Sequence, residues 1–154
     1  MLGKLFRGTT SLEKSRSLVE AIFRQIKLDP DRNKVPTQDG SHVWALNYGE
    51  QTLFLCLYEH EGTGYFKVFS PVVYLPDDNL LPFYRKLLEV NWDLTSAWMA
   101  ARGDEVMVIG ERALEGMDVK EGLDIVTRVG FYSEAMRKML TEEFSAPPHE
   151  PSPG

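Results

Sequence analysis

Cysteine and histidine are the residues of this sequence best suited to covalent or metal chemistry, but their spacing does not assemble a site. The one cysteine, Cys56, has His60 four residues further on, and in a predicted strand that spacing does not bring the two side chains together. A cysteine in the middle of a strand is usually a small buried apolar residue. The other histidines, His42 and His149, fall at a strand start and in the C-terminal tail. No convergent set of three or four metal ligands is therefore predicted.

Other strings that match catalytic motifs have simpler structural interpretations. Ser11-Leu12-Glu13-Lys14 fits an S-x-x-K pattern, but it opens a predicted exposed helix and lacks the partner motifs of that chemistry. The glycines form no nucleotide-binding loop, and the paired carboxylates Asp77 and Asp78 stand where a helix cap is expected. The sequence predicts no catalytic residue, no cofactor and no metal, and we expect a protein that is not an enzyme.

Composition indicates one globular domain with an acidic surface. Of 154 residues, 43% are hydrophobic and 26% are charged, and 17 basic against 23 acidic side chains give a net charge of −6. That charge opposes binding to a phosphate backbone, and no local basic patch offsets it. No apolar run reaches the ~18 residues that span a bilayer, the first residues lack the apolar segment of a secretory signal, and a lone cysteine suits a reducing compartment. We expect a cytoplasmic protein that binds no nucleic acid and does not insert into a membrane.

The middle of the chain alternates with a period of two, which indicates strands. Gly-X pairs at Gly49-Glu50 and Gly103-Asp104 suit tight hairpin turns, which make their strands antiparallel neighbours. Pro71 is expected at a sheet edge or a strand end. The sequence predicts an α+β domain of element order α-β-β-β-α-β-β-α, with a five-stranded antiparallel sheet. The predicted strands are His42–Tyr48, Gln51–Tyr58, Tyr65–Ser70, Thr95–Arg102 and Glu105–Glu111.

Helix signals flank these strands. Thr10 followed by Glu13 is the pattern of a capping box at the start of the first helix. Asp118 followed by Glu121 is the same pattern at the start of the last helix, which should end near Phe144.

The remaining segments complete the predicted domain. A second helix is expected over Leu80–Asn91, with Pro82 tolerated in its first turn, and residues 29–41 are expected to form a loop. The domain should span residues 1–144. Residues 145–154 hold four of the nine prolines and are expected to be a disordered tail.

The turns also sort the side chains onto two faces of the sheet, because partners across a hairpin project to the same side. One face, with Leu46 opposite Leu53 and Trp44 opposite Leu55, is purely apolar and should lie beneath the first and last helices. The other face mixes aromatic and polar side chains. It includes Asn47, Thr52, Phe54, Cys56, Tyr58, Tyr65, Lys67 and Phe69.

This second face is the candidate binding surface. A solvated sheet face is normally polar, whereas apolar patches rich in Tyr, Trp, Phe and Met are typical of interfaces. Either the second helix alone covers this face, or it covers part of it and a second subunit or a peptide covers the rest. We favour the latter. The candidate interface residues are Phe54, Tyr58, Tyr65, Phe69, Trp98, Met107 and Ile109.

The element order and several strings resemble a known group. Leu87-Leu88-Glu89-Val90-Asn91, the Gly103-Asp104 hairpin and Leu114 before a long helix are similar to the YbjN-like family, which shares the fold of bacterial type III secretion chaperones. The resemblance implies a small, acidic, non-enzymatic homodimer. In this sequence Leu87, Leu88 and Asn91 match, and they imply two core leucines and a turn-forming asparagine. The glycine that often follows this asparagine in the family is replaced by Trp92.

The resemblance implies function only in outline. Secretion chaperones of this fold hold an extended segment of a client protein along a sheet edge and in apolar patches, a form of strand addition, and the YbjN-like branch is described as sensory-transduction regulators. We expect a dimeric chaperone-like or regulatory adaptor whose partners are a second copy of itself and a client protein. The alternative is a small-ligand sensor with a pocket between the sheet and the helices.

Overall fold

The computed structural model describes residues 2–150, with side chains for residues 12–150. Six strands form one antiparallel sheet in the order β1-β2-β3-β4-β6-β5, which confirms the predicted α+β fold. The elements are α1 (Leu2–Gln25), β1 (Lys34–Val35), β2 (His42–Tyr48), β3 (Gln51–His60), β4 (Thr63–Tyr74), α2 (Leu80–Asp93), β5 (Trp98–Arg102), β6 (Glu105–Ala113) and α3 (Val119–Phe144).

The predicted count of five strands is one too few. The additional strand, β1, is only two residues long and lies inside the predicted loop, where it pairs with β2 through Lys34 opposite Trp44 and Val35 opposite Val43. Two residues show no alternation that a sequence pattern could reveal.

The hairpin registers are confirmed. Leu46 pairs with Leu53 and Trp44 with Leu55, because Gly49, at a φ of 58°, allows the two-residue turn that sets this register. The face they share is the core of the molecule, covered by α1 and α3. Its side chains are nearly all inaccessible to solvent, among them Trp44, Leu53, Leu55, Leu57, Phe66 and Val68.

Glycines let α3 approach this inner face closely. A Cβ on Gly110 of β6 would lie 2.9 Å from Val129 Cγ2 and 3.0 Å from Ile125 Cγ2. On the helix itself, a Cβ on Gly130 would lie 2.9 Å from the Tyr48 ring. Neither position has room for a larger residue, so close packing at these two glycines sets the distance between α3 and the sheet.

One of the two predicted helix caps is wrong and the other is confirmed. Because α1 begins at Leu2, Thr10 lies in the interior of that helix. At α3 the Asp118 side chain accepts a hydrogen bond from the Glu121 N–H at 2.8 Å, and Glu121 Oε2 accepts from the Asp118 N–H at 3.0 Å. This capping box starts α3 where it was predicted, and the helix ends at Phe144.

Pro71 lies inside β4 and not at a strand end. It pairs with Met107 of β6 but lies beyond Phe69, the last residue of β4 that pairs with β3, so one side of β4 has no β3 partner at this point. The pairing of β4 with β6 shifts register between Pro71 and Val73. A bulge is the one interior position where a strand tolerates a residue without an N–H, so the irregularity and the proline occur together.

The predicted disordered tail is wrong for residues 145–150. The Tyr74 N–H donates to the Pro147 carbonyl at 2.8 Å, Val73 forms a bridge with Pro148, and Ala146 is 1% exposed within the core. Residues 151–154 of the predicted tail lie outside the residues that the structure describes.

The second helix lies at the β5 edge of the sheet, beside the end of α3, and does not lie over the second face as predicted. Phe83 contacts Phe144 edge to face, with ring centroids 5.4 Å apart, and Lys86 Nζ is 3.6 Å from Glu143 Oε2. Asn91 lies within α2 and binds the β5 backbone, so it is not the turn residue that the resemblance implied.

Candidate partner-binding surfaces

The sheet face that points away from α1 and α3 is termed the outer face. Across four strands, Phe54 pairs with Phe69, Phe69 with Ile109, and Ile109 with Trp98. The two phenylalanine rings stack with centroids 5.1 Å apart and planes at 18°. Phe54, Phe69 and Ile109 are half-buried and Trp98 is 37% exposed. The structure thus brings four of the candidate interface residues into one partly open apolar row.

The other candidate interface residues flank this row. Tyr58 and Tyr65 are paired across β3 and β4 and stack with centroids 5.5 Å apart, and both are half-buried. Met107 is only 5% exposed, so in the single chain its side chain is already covered.

A polar cluster interrupts the aromatic face. The Tyr58 hydroxyl donates to Glu111 Oε1, Lys67 Nζ lies 3.1 Å from Glu111 Oε2, and the same ammonium lies 4.8 Å from the Tyr58 ring centroid. Burial and the hydrogen bond to Glu111 raise the pKa of Tyr58. Burial alone would lower the pKa of Lys67, but its hydrogen bonds to Glu111 and Tyr58 outweigh this and raise it. Each polar group of this cluster has its hydrogen-bond or ionic partner within the cluster, which therefore links β3, β4 and β6.

Cys56 is placed as the sequence predicts, in the middle of a strand. Four residues of β3 separate it from His60 by about 13 Å, and His60 is instead 4.0 Å from Glu61. Burial raises the pKa of the Cys56 thiol, although nearby Lys67 lowers it somewhat. A protonated, half-buried thiol without a neighbouring base is a poor nucleophile.

The described part of the chain forms neither a metal-binding cluster nor a membrane-spanning helix. Within residues 2–150, no group of three or more His, Cys, Asp and Glu side chains is arranged to hold a metal ion. The helices of the same region include none that is both long and apolar enough to cross a bilayer.

Sequence reasoning missed a second apolar surface, on α2. Leu81, Leu88 and Trp92 are 82%, 73% and 90% exposed, and their spacing of seven and four residues puts them on one side of the helix, termed the α2 stripe. Leu88 is therefore not the core residue that the resemblance implied, whereas Leu87, at 5% exposure, is. The available signal was that this helix carries apolar residues on two sides, while an ordinary surface helix buries one.

A cleft of about 490 Å³ opens between the β2–β3 turn, α3 and the C-terminal residues. It is lined in part by Gln51, Arg137, Thr141 and Pro148. Gln51 Oε1 and Thr141 Oγ1 are buried and lack a hydrogen-bond partner among the described residues. Buried polar atoms are normally paired, so the wall of this cleft is one place in the described residues with hydrogen-bonding capacity left for a small polar molecule.

No protein-family model matches this sequence, and no curated protein matches it. Solved structures do match. A complex of ExsC with ExsE superposes with a TM-score of 0.62 at 14% sequence identity, covering 84% of this chain and 95% of that chain. A chaperone–effector complex of SchA with HopA1 superposes with a TM-score of 0.57 at 9% identity, covering 90% of this chain and 98% of that one.

A third match is YbjN from E. coli, described as a candidate transcription regulator. It superposes with a TM-score of 0.54 at 9% identity, covering 88% of this chain and 95% of that chain. Because all three identities are low, the likeness concerns the fold. This chain has the fold of YbjN and of type III secretion chaperones, as its sequence strings predicted.

Proposed function

We propose that this protein is a non-enzymatic protein-binding module, a dimeric chaperone-like or regulatory adaptor that binds a partner protein through an apolar sheet face or edge. The observation that carries the proposal is the outer-face row of Phe54, Phe69, Ile109 and Trp98, which stays partly open in the single chain. At protein interfaces a few residues, among which tryptophan and tyrosine are enriched, contribute most of the binding energy, and Trp98 is the residue of this type in the row.

The outer face suits a protein client better than a small molecule. It is a broad surface in which aromatic rings surround one neutralised polar cluster, and interfaces combine such an apolar centre with satisfied polar groups. The structural neighbours support this proposal, since two of them are complexes of a protein with a protein partner. The net charge of −6 favours protein over nucleic acid as the ligand, and the lone Cys56 is in keeping with a cytoplasmic location.

The α2 stripe is the surface proposed for the second copy. Leu81, Leu88 and Trp92 are spaced as in helix pairs that pack along a seam. On the same exposed side Arg85 Nε lies 2.8 Å from Glu89 Oε1. In a two-fold antiparallel pair of α2 helices these opposite charges could also pair between copies, because the same patch faces itself.

Two substitutions test the proposal on separate surfaces. Trp98→Asp places a charge on the outer face and should abolish capture of protein partners from native lysate, while Trp92→Asp should convert dimers to monomers in light scattering. Phe131→Asp, at a ring 63% exposed on α3, is the matched control and should change neither property. Unchanged capture by Trp98→Asp, with its circular dichroism intact, would contradict the client surface, and an unchanged mass for Trp92→Asp would contradict the dimer surface.

The alternative function, a small-ligand sensor, is supported by the cleft that holds Gln51 Oε1 and Thr141 Oγ1. It predicts that a polar metabolite raises the Tm of the protein. Thr141→Val, which removes one hydroxyl at nearly constant volume, should abolish that rise. If no metabolite raises the Tm, or if Thr141→Val responds like the parent, the cleft holds only water.

A further inference from the structure

The C-terminal segment, residues 145–150, occupies backbone positions on β4 beyond its last residue pair with β3. That pairing reaches from His60 opposite Thr63 to Phe54 opposite Phe69. Further along β4, Val73 is bridged instead by Pro148 in the antiparallel direction. The segment thus takes the place of a strand.

Two main-chain hydrogen bonds hold the segment on either side of that bridge. The Tyr74 N–H donates to the Pro147 carbonyl at 2.8 Å, and the His149 N–H donates to the Val72 carbonyl at 3.0 Å. Such bonds depend little on side-chain identity, which is why strand addition is a general way to bind extended peptides.

Side chains add three local contacts. Ala146 is 1% exposed and fits into the core. The His149 ring stacks on Tyr74 with centroids 4.9 Å apart, and its Nε2 lies 2.9 Å from Glu105 Oε1. The site therefore accepts a small side chain and, three residues later, a ring or a cation.

The segment is an imperfect strand for this position. At a hydrogen-bonded antiparallel pair, both residues exchange N–H···O bonds. Pro147 accepts from Tyr74 but has no N–H with which to donate the return bond. An extended peptide with any other residue there would form one more main-chain hydrogen bond than the chain's own segment does.

We propose that Val72–Tyr74 of β4 is an acceptor site for an extended segment of a partner protein, occupied in the free protein by its own C-terminal segment, which the partner displaces. The partner segment would carry a small residue at the position of Ala146, a residue other than proline at that of Pro147, and a basic or aromatic residue at that of His149. The inference rests on the proposed function and adds to it a contact that excludes the client until the segment is displaced.

The test uses the full chain and a defined probe, a fluorescein-labelled peptide Ser-Ala-Val-Pro-His-Glu, which copies residues 145–150 with valine in place of the first proline. Ala146→Asp should expel the segment, because a charge cannot be buried in the apolar core. The probe should then bind at least about tenfold more tightly to Ala146→Asp than to the parent, since it no longer competes with an intramolecular strand. Ala135→Asp, at an exposed position of α3, should bind the probe as the parent does.

A second peptide isolates the missing hydrogen bond. The unaltered sequence Ser-Ala-Pro-Pro-His-Glu should bind Ala146→Asp about fivefold more weakly than the valine probe, the size of one net hydrogen bond. Hydrogen exchange should show the Tyr74 amide protected in the parent, fast in Ala146→Asp, and protected again when the probe is added.

Several results would overturn the inference. An unchanged Tyr74 exchange rate in folded Ala146→Asp would show that the segment is not displaceable. Should that variant fail to fold, a chain ending after Ser145 replaces it, and absence of probe binding to the folded variant, or to this replacement, refutes the acceptor site. Probe binding and client capture are read separately. Loss of the first with capture intact overturns this inference alone, and probe binding without any capture overturns the proposed function.

Discussion

Asn91 of α2 and Met99 of β5 are joined by two hydrogen bonds. Asn91 Nδ2 donates to the Met99 carbonyl at 3.3 Å, and the Met99 N–H donates to Asn91 Oδ1 at 2.6 Å. A side-chain amide carries the same donor and acceptor as a peptide group, so Asn91 acts at this sheet edge as one residue of a neighbouring strand. This contact attaches the helix that bears the α2 stripe to the sheet that bears the outer face.

Replacing this amide should loosen the edge. Asn91→Ala leaves the N–H and C=O of Met99 without their partner, and we expect the free energy of unfolding to fall by about 1–3 kcal/mol. Urea denaturation measures the loss, and hydrogen exchange should show it at the Met99 amide. Asp93→Ala, at an exposed position two residues away, should change the free energy by less than about 0.5 kcal/mol. If Asn91→Ala lowers the free energy of unfolding no more than Asp93→Ala does, water replaces both Asn91–Met99 hydrogen bonds at no cost in stability.

Gly110→Ala should destabilise the fold although alanine suits strands better than glycine does. The added methyl group would lie 2.9 Å from Val129 Cγ2, and overpacking of this kind costs about 1–3 kcal/mol. A double-mutant cycle with Val129→Ala measures the clash by denaturation, since the second change removes the opposing atom. The two effects should be less than additive. If the two changes in the free energy of unfolding simply add, Gly110 and Val129 are not in contact.

High pH should lower the free energy of unfolding, because the polar cluster of the outer face loses protons there. The pKa values of Tyr58 and Lys67 are raised above their ordinary 10.0 and 10.5, so the folded state holds these protons to higher pH than the unfolded chain does. Their stabilisation is complete below about pH 10 and is lost as the pH rises through the folded-state pKa values. Denaturation at several pH values between about 9 and 11 should show a smaller fall for Tyr58→Phe than for the parent. Parallel pH profiles would contradict the raised tyrosine pKa.

The Cys56 thiol should react slowly with disulfide reagents. Burial raises its pKa and limits access, and the thiolate is the reactive form. At neutral pH we expect modification at least about tenfold slower than in the urea-unfolded protein, which serves as the matched reference. The Lys67→Met variant, which removes the one nearby charge that lowers this pKa, should react more slowly still. A native rate as fast as the unfolded one would imply an activated cysteine.

Sequence predicted best those features that a turn imposes locally. The two-residue turn at Gly49 leaves one register, so the pairs Leu46 with Leu53 and Trp44 with Leu55 follow from the position of the turn alone. The same logic placed Phe54 and Phe69 on one face, because alternation along a strand follows from register. The pairing of β4 with β6, which brings Trp98 to that face, is not set by a turn.

Features that depend on distant contacts could not be derived in the same way. The prolines of the C-terminal segment suggested disorder, yet Ala146 is ordered by the core and Tyr74 supplies a backbone donor. Thr10 and Glu13 matched a cap, but the helix itself continues upstream to Leu2, through glycines at which a sequence pattern does not predict a helix. Tertiary packing decides whether an apolar side of a helix faces the core or solvent. It buries Leu87 and leaves its neighbour Leu88 exposed.

The two borders of the sheet have a consequence for the protein when no partner is present. At one border the two-residue strand β1 pairs with Val43 and Trp44 and so divides the free edge of β2 into short pieces. At the other border the Asn91 amide interrupts the row of free peptide groups along β5. Fibrils grow when one chain adds in register to a long, uninterrupted strand border. The sheet therefore offers a second copy few consecutive peptide groups to extend, although its outer face carries partly exposed aromatic side chains.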